Sequence, residues 1–318
     1  MWRRARETDS GWVGAGADDD LDRRLEAAEE PFDLARPHVR TVLGPIEPAA
    51  LGPTLVGEPL DLIAGSLGTL DPGGHARDAL LAELEDAYAV GVRAIVALCR
   101  TEHALDDLQW LAGRVSVHLV AAGSPDVVGR HGDGSIGALV LDLDDPLGSS
   151  VGGAASVLAL HRERSLPVSV RARDPGTARD AARSLLRHGV DPARLWVGGG
   201  EWGDDDGASA LALLRTGVSV AFDGLYRAPQ GAYQGNRSGG QAGAVAALVR
   251  AGHAGRLLLG SGIDRGDRYR VGGGEPGLAA VFDRFPLTLM EEGIEATAIQ
   301  HMVVAAPARV LTIRAEER

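Results

Sequence analysis

The chain contains no lysine, so all 32 of its strongly basic side chains are arginine. That absence excludes Schiff-base catalysis and a Walker-type phosphate loop, since both need a lysine amine. Cysteine occurs once, at Cys99, which excludes an intrachain disulfide. No apolar run is long enough to cross a bilayer. The basic opening Met1-Trp2-Arg3-Arg4-Ala5-Arg6 lacks the hydrophobic stretch that follows in a secretory signal, so a cytoplasmic location is expected. With 44 acidic residues against 32 basic ones the net charge is -12, which disfavours nucleic acid or a membrane as partner, because phosphate surfaces are bound by basic ones. Aromatic residues make up only 4% of the chain, so where they gather carries weight.

What is present is a rhythm of short apolar runs and helical stretches rich in Ala, Leu, Arg and Asp. Residues 1–38 stand apart, with Asp18-Asp19-Asp20 and an Arg/Glu-rich stretch before Pro31, and read as a flexible leader with one short helix. From residue 39 to 318 eight strands are predicted: 54–56, 94–98, 117–120, 138–141, 168–170, 195–197, 218–222 and 257–259. Helices are predicted between and after them, at 76–90, 104–112, 151–164, 176–188, 207–216, 240–251 and 278–292. Asp174-Pro175 supplies a start signal, and Gly91, Gly189, Gly217 and Gly252 supply stops. Buried parallel strands read as unbroken apolar runs, and eight of them with crossover helices close most simply into an α/β (β/α)8 TIM barrel. An open doubly wound sheet is disfavoured, because no glycine-rich fingerprint follows the first strand; Gly198-Gly199-Gly200 and Gly272-Gly273-Gly274 have the wrong spacing.

In such a barrel the chemistry lies at the carboxyl ends of the strands. The stretches 39–46 and 51–60 (LGPTLVGEPL), together with 89–96, 189–195, Ala221-Phe222-Asp223-Gly224, 255–259 and Ala306-Pro307-Ala308-Arg309-Val310-Leu311, follow one another in a familiar order. In them the chain resembles the phosphotriesterase family of the amidohydrolase superfamily over residues 39–313. The resemblance implies a TIM barrel and two divalent metals. The metals would be held by His-x-His on the first strand, a carbamylated lysine on the fourth, histidines on the fifth and sixth, and an aspartate on the eighth. At the matching positions this chain has Gly57 and Pro59 around a retained Glu58, then Val140, Arg171, Gly199 and Gly262. Glu58 aside, none of these six positions can donate to zinc, so the expectation is a divergent member with no metal and no cofactor.

Acidic residues remain near the strand ends: Glu58, Asp142, Asp144, Asp145, Glu201, Asp223 and Asp264. Oxygen donors of this kind suit magnesium or calcium, which keeps a metal-dependent hydrolase with other ligands as an alternative, although such carboxylates also cap helices and pair with arginines. Glu58, Asp142 and Asp223 are the candidates for acid–base catalysis. Arg171, with Arg173 two residues beyond it, puts a planar cationic fork at the fifth strand's end, suited either to anchoring an anion or to an internal pair with Asp142, Asp223 or Glu58. Trp202, Tyr226 and Tyr269, in the loops after strands six to eight, are candidates for a ligand-pocket wall, and Ser261 and His103 complete the candidate binding set. Cys99 beside Arg100 reads as a buried thiol or an activated one.

The connection 123–135 is shorter than the family's. The stretches 226–240 and 265–276 are long, polar and glycine-rich, suited either to covering a mouth or to being disordered. Three functions follow: metal-independent chemistry on a small anionic metabolite, a non-catalytic barrel that binds a ligand or protein, and the metal-dependent alternative. The expected partner is a small anionic molecule, and a homodimer stays open.

Overall fold

The computed structural model describes residues 32–60, 75–131, 134–144, 151–200, 202, 203, 205, 207–227, 237–264 and 266–314. An antiparallel hairpin opens this part of the chain, β1 (Val39–Thr41) with β2 (Gly44–Ile46). Eight parallel strands follow: β3 (Thr54–Glu58), β4 (Ala94–Cys99), β5 (His118–Gly123), β6 (Ile136–Asp142), β7 (Val168–Arg171), β8 (Leu195–Gly198), β9 (Ser219–Phe222) and β10 (Leu257–Leu259). They neighbour one another in chain order from β3 to β10, which together with the intervening helices makes a (β/α)8 barrel.

The helices are α1 (His75–Ala89), α2 (Glu102–Ala112), α3 (Pro125–His131), α4 (Val151–Arg164), α5 (Pro175–Arg187), α6 (Ala208–Leu214), α7 (Arg237–Arg250), α8 (Ala280–Asp283), α9 (Phe285–Glu291), α10 (Ala296–Gln300) and α11 (Ala306–Leu311). Local chemistry fixes their ends. Thr101 caps α2 by accepting from Ala104 N at 3.2 Å, and Asp174 caps α5 by accepting from Thr177 N at 2.6 Å, with Pro175 in the first turn.

The strands alternate between two apolar layers. Leu55, Ile95, Ala97, Leu119, Leu139, Val170, Val197, Phe222 and Leu259 pack outward against the helices. Val56, Val96, Leu98, Val120, Val140, Trp196, Ala221 and Leu258 fill the barrel. The amino end of the barrel is plugged from below by Val39, Leu51, Val310 and Leu311 of the same inner cluster. The hairpin lies against this end, where Val42 N donates to Leu119 O at 2.8 Å, and Gly137 is the residue that lets the Arg40 carbonyl approach without collision.

Four expectations change here. The leader assigned to residues 1–38 lies outside the described residues up to 31. Its last residue is not loose, since His38 is buried and pairs with Ile313 in both directions. The single helix expected over 278–292 is two, because Pro286 at the start of α9 cannot continue the hydrogen bonding of α8. The connection 123–135 contains the short helix α3. The stretch 266–276 folds into tight turns at Gly266–Arg268 and Arg270–Gly272, while 228–236 and 265 lie outside the described residues.

Candidate functional site

The barrel's first and last strands meet without a ladder among the described residues. Glu58 bridges that seam: its Oε1 accepts from Ser261 N and its Oε2 from Ser261 Oγ, both at 2.5 Å. A bulge aims it there. Gly57 sits in the left-handed region at φ 83°, and the pairing with β4 passes from Val56–Val96 directly to Glu58–Ala97. Glu58 is thereby placed in register with outward-facing Ala97 instead of inward-facing Leu98. Burial pushes its carboxyl up to about 7, against the opposing pull of the Ser261 bonds. Ser261 Oγ also accepts from Ile263 N at 3.2 Å, so the hydroxyl is held on both sides.

Inside the mouth, Arg171 at the end of β7 donates to Asp223, the first residue beyond β9. Arg171 is 6% exposed and Asp223 is 1% exposed. Burial lowers the guanidinium's affinity for its proton, but the charges of Asp223, Asp142 and Glu58 outweigh that and raise it. The other Asp223 oxygen accepts from Gly199 N at 2.9 Å. Arg100 pairs with Asp142 at 2.9 Å, and Arg173 N donates to Asp144 at 2.8 Å. The carboxyl end is therefore lined by arginine–aspartate pairs.

Glycines make room for the central pair. A side chain at Gly57 would begin 2.6 Å from Asp223 Oδ2 and 2.9 Å from Arg171 Nη1. At Gly198 it would begin 2.5 Å from Asp223 Oδ2, and at Gly262, φ 66°, 2.5 Å from the Asp223 carbonyl oxygen. Two of the positions that match the family's metal ligands thus hold glycines that the pair itself requires, a third holds Arg171, and Val140 is packed in the inner cluster. These residues do not fit a pair of divalent cations: the nearby carboxylates are committed to hydrogen-bond donors, and a guanidinium stands among them. Among the described residues no three His, Cys, Asp or Glu side chains converge on one point. Asp145 and Glu201 lie outside the described residues.

The remaining candidates fall in different places. Trp202 is fully buried, packs with the outer core, and donates from its indole to Ala221 O at 2.8 Å. Tyr269 is 1% exposed in the same core, with a hydroxyl that meets no partner; burial, then the Glu83 and Glu58 charges, raise its pKa. These two rings are core residues instead of an open pocket wall, because the loops after β8 and β10 fold down onto the helices. Tyr226 is partly buried and donates to Ala280 O at 3.2 Å. His103 is exposed in the first turn of α2. Cys99 is buried.

Arg227 was not among the residues singled out from the sequence, yet it stands beside Asp223. Its Nη1 reaches Gly199 O and its Nη2 reaches Asp223 O, each at 3.4 Å, and its side chain is 17% exposed. The available signal was its spacing of four residues after Asp223.

No family model and no curated protein matches the chain. Solved structures do. An organophosphorus hydrolase from Deinococcus radiodurans superposes with a TM-score of 0.71 at 21% identity, covering 88% of this chain and 98% of that one. The chain has a phosphotriesterase-like fold. An amidohydrolase from Mycoplasma synoviae gives 0.72 at 18% identity over 90% and 94% of the two chains. A resiniferatoxin-binding protein from Rhodobacter sphaeroides gives 0.68 at 19% over 86% and 94%. At these identities the likeness is one of fold, and the chemistry has to be argued from the mouth itself.

Proposed function

We propose that this phosphotriesterase-like barrel binds a ligand or partner without turnover, its binuclear metal centre replaced by a structural ion pair. The observation that carries the reading is the buried Arg171–Asp223 pair, which occupies the space that side chains at Gly57 and Gly198 would need. Ester hydrolysis in such a barrel requires a water made acidic by metal, and nothing at these positions lowers a water's pKa. Of the two roles open to Arg171, the geometry favours the internal pair over the anion anchor. One structural neighbour is itself named for binding, the resiniferatoxin-binding protein, which supports use of this fold to bind a ligand. No helix among the described residues is long and apolar enough to cross a membrane.

The test is an assay of paraoxon-type esters and lactones with zinc, manganese or cobalt added. The reading expects background rates throughout; metal-stimulated turnover that a chelator abolishes would overturn it.

A second reading, metal-independent acid–base chemistry on a small anionic metabolite, is favoured by Glu58 alone. A carboxyl with its pKa near 7 beside a serine hydroxyl is suited to proton transfer. Chelator-insensitive conversion of a small carboxylate or phosphate ester, lost in Glu58→Gln, would establish this reading over the first.

A further inference from the structure

We propose that Arg227 is the anion-recognising residue of the barrel mouth, and that it takes the carboxylate or phosphate group of a small molecule. The inference rests on the binding reading above and names the residue and the ligand chemistry.

Arg171 is 6% exposed and committed through Nη1 to Asp223. Arg227 differs in each respect. Its two hydrogen bonds to carbonyl oxygens are 3.4 Å long, at the outer limit for N–H···O contacts, and its approach to Asp223 Oδ1 is 3.9 Å. Asp223 is already engaged on both oxygens, by Arg171 and by Gly199 N. Among the described residues Arg171 and Arg227 both stand beside Asp223, with Asp142 and Glu58 near enough to act on Arg171. Arg100 and Asp142 beside it balance each other.

A mostly buried guanidinium with only long contacts is poorly compensated for the water it has lost. An oxyanion would correct this. Guanidinium forks donate to carboxylate or phosphate through paired bonds of about 2.7–2.9 Å, shorter and stronger than those Arg227 makes to carbonyls. Gly224 keeps the fork flat against the strand end, since a side chain there would begin 3.3 Å from Arg227 Cζ. The 17% of the side chain that reaches solvent gives an anion its access.

The experiment titrates inorganic phosphate and, separately, acetate into the full chain and into Arg227→Gln, Arg227→Lys and a control at an exposed surface pair, Arg130→Gln. Thermal unfolding and calorimetry are the readouts. The wild type and Arg130→Gln are expected to bind one or both anions and to unfold at higher temperature with them. Arg227→Gln should keep the ligand-free unfolding temperature and bind about tenfold or more weakly, as expected for loss of a charge-assisted pair. Arg227→Lys, which keeps the charge but not the fork, should fall between, and reports the same effect if the glutamine variant does not fold. The arm that responds identifies the group as phosphate or carboxylate. A wild type indifferent to both anions, or an Arg227→Gln that responds as the wild type does, overturns the assignment. Hydrolytic turnover would instead overturn the binding reading and leave this titration untouched.

Discussion

The two ends of the barrel are closed by different physics. At the amino end Val39, Leu51, Val310 and Leu311 pack under the inner side chains of the strands, with polar contacts such as that of Arg309 donating to Ser219 Oγ at 2.9 Å beside them. At the carboxyl end the closing groups are ions: Arg171 with Asp223, Arg100 with Asp142, and Glu58 tied to Ser261 across the seam. Apolar contacts tolerate the loss of a neighbour in proportion to the surface and cavity involved. Buried ions do not, because removing one partner leaves the other charged in a medium that cannot solvate it. The end that carries catalysis in phosphotriesterase-like hydrolases is here the electrostatically committed end.

That contrast can be broken by substitution. Arg171→Ala should destabilise the barrel by about 3–5 kcal/mol, since Asp223 stays behind buried and unpaired, whereas Arg171→Met combined with Asp223→Leu should recover most of the loss. Urea unfolding of the three proteins checks both; an Arg171→Ala protein as stable as wild type would mean that the pair is not the plug described. At the opposite end Leu311→Ala should cost about 3 kcal/mol through lost burial and a cavity. That cost should be flat between about pH 5 and pH 9, because no titrating group is involved, and a pH-dependent loss there would blur the distinction between the ends.

Glu58→Gln sharpens it. The folded carboxyl holds its proton up to about 7, while the unfolded one releases it near 4.5, so the wild type loses stability as pH rises through that interval. The glutamine variant lacks this loss. It should match the wild type near pH 5 and exceed it by a few kcal/mol at most above pH 7, read by thermal unfolding across pH. A constant difference would show that Glu58 does not titrate there. The smallest effect is expected for Tyr269→Phe, which removes a buried hydroxyl that meets no partner and should be neutral or stabilising by about 1 kcal/mol.

The barrel was legible because each strand is an unbroken apolar run and each crossover has start and stop residues; the predicted helix 151–164 coincides with α4. The hairpin β1–β2 was not, since three-residue strands carrying Gly44 and Pro45 give no periodic signal. At the site, motif order alone led to the expectation that Gly57, Arg171, Gly199 and Gly262 stand at the family's metal-ligand positions. What the sequence could not show was pairing. Asp142, Asp223 and Glu58 were all open as partners of Arg171, and which group each meets depends on contacts between strands far apart in the chain, as with Arg171 and Asp223. The bulge at Gly57 was equally hidden: a one-residue shift turns Glu58 from the barrel interior toward the seam, and alternation along the strand predicts the opposite face. Trp202 and Tyr269 misled because position after a strand does not say whether a loop folds outward or down onto the helices.

The central claim, that paired ions stand where a hydrolase of this fold would hold metal, is tested most directly by elemental analysis. The full-length protein would be stripped with chelator, incubated with zinc, manganese or cobalt, and desalted before metal is counted per chain. The account predicts clearly substoichiometric metal under every condition, because the guanidinium of Arg171 and the committed oxygens of Asp223 and Glu58 leave no donor set to bind it. About two tightly held metals per chain would contradict it.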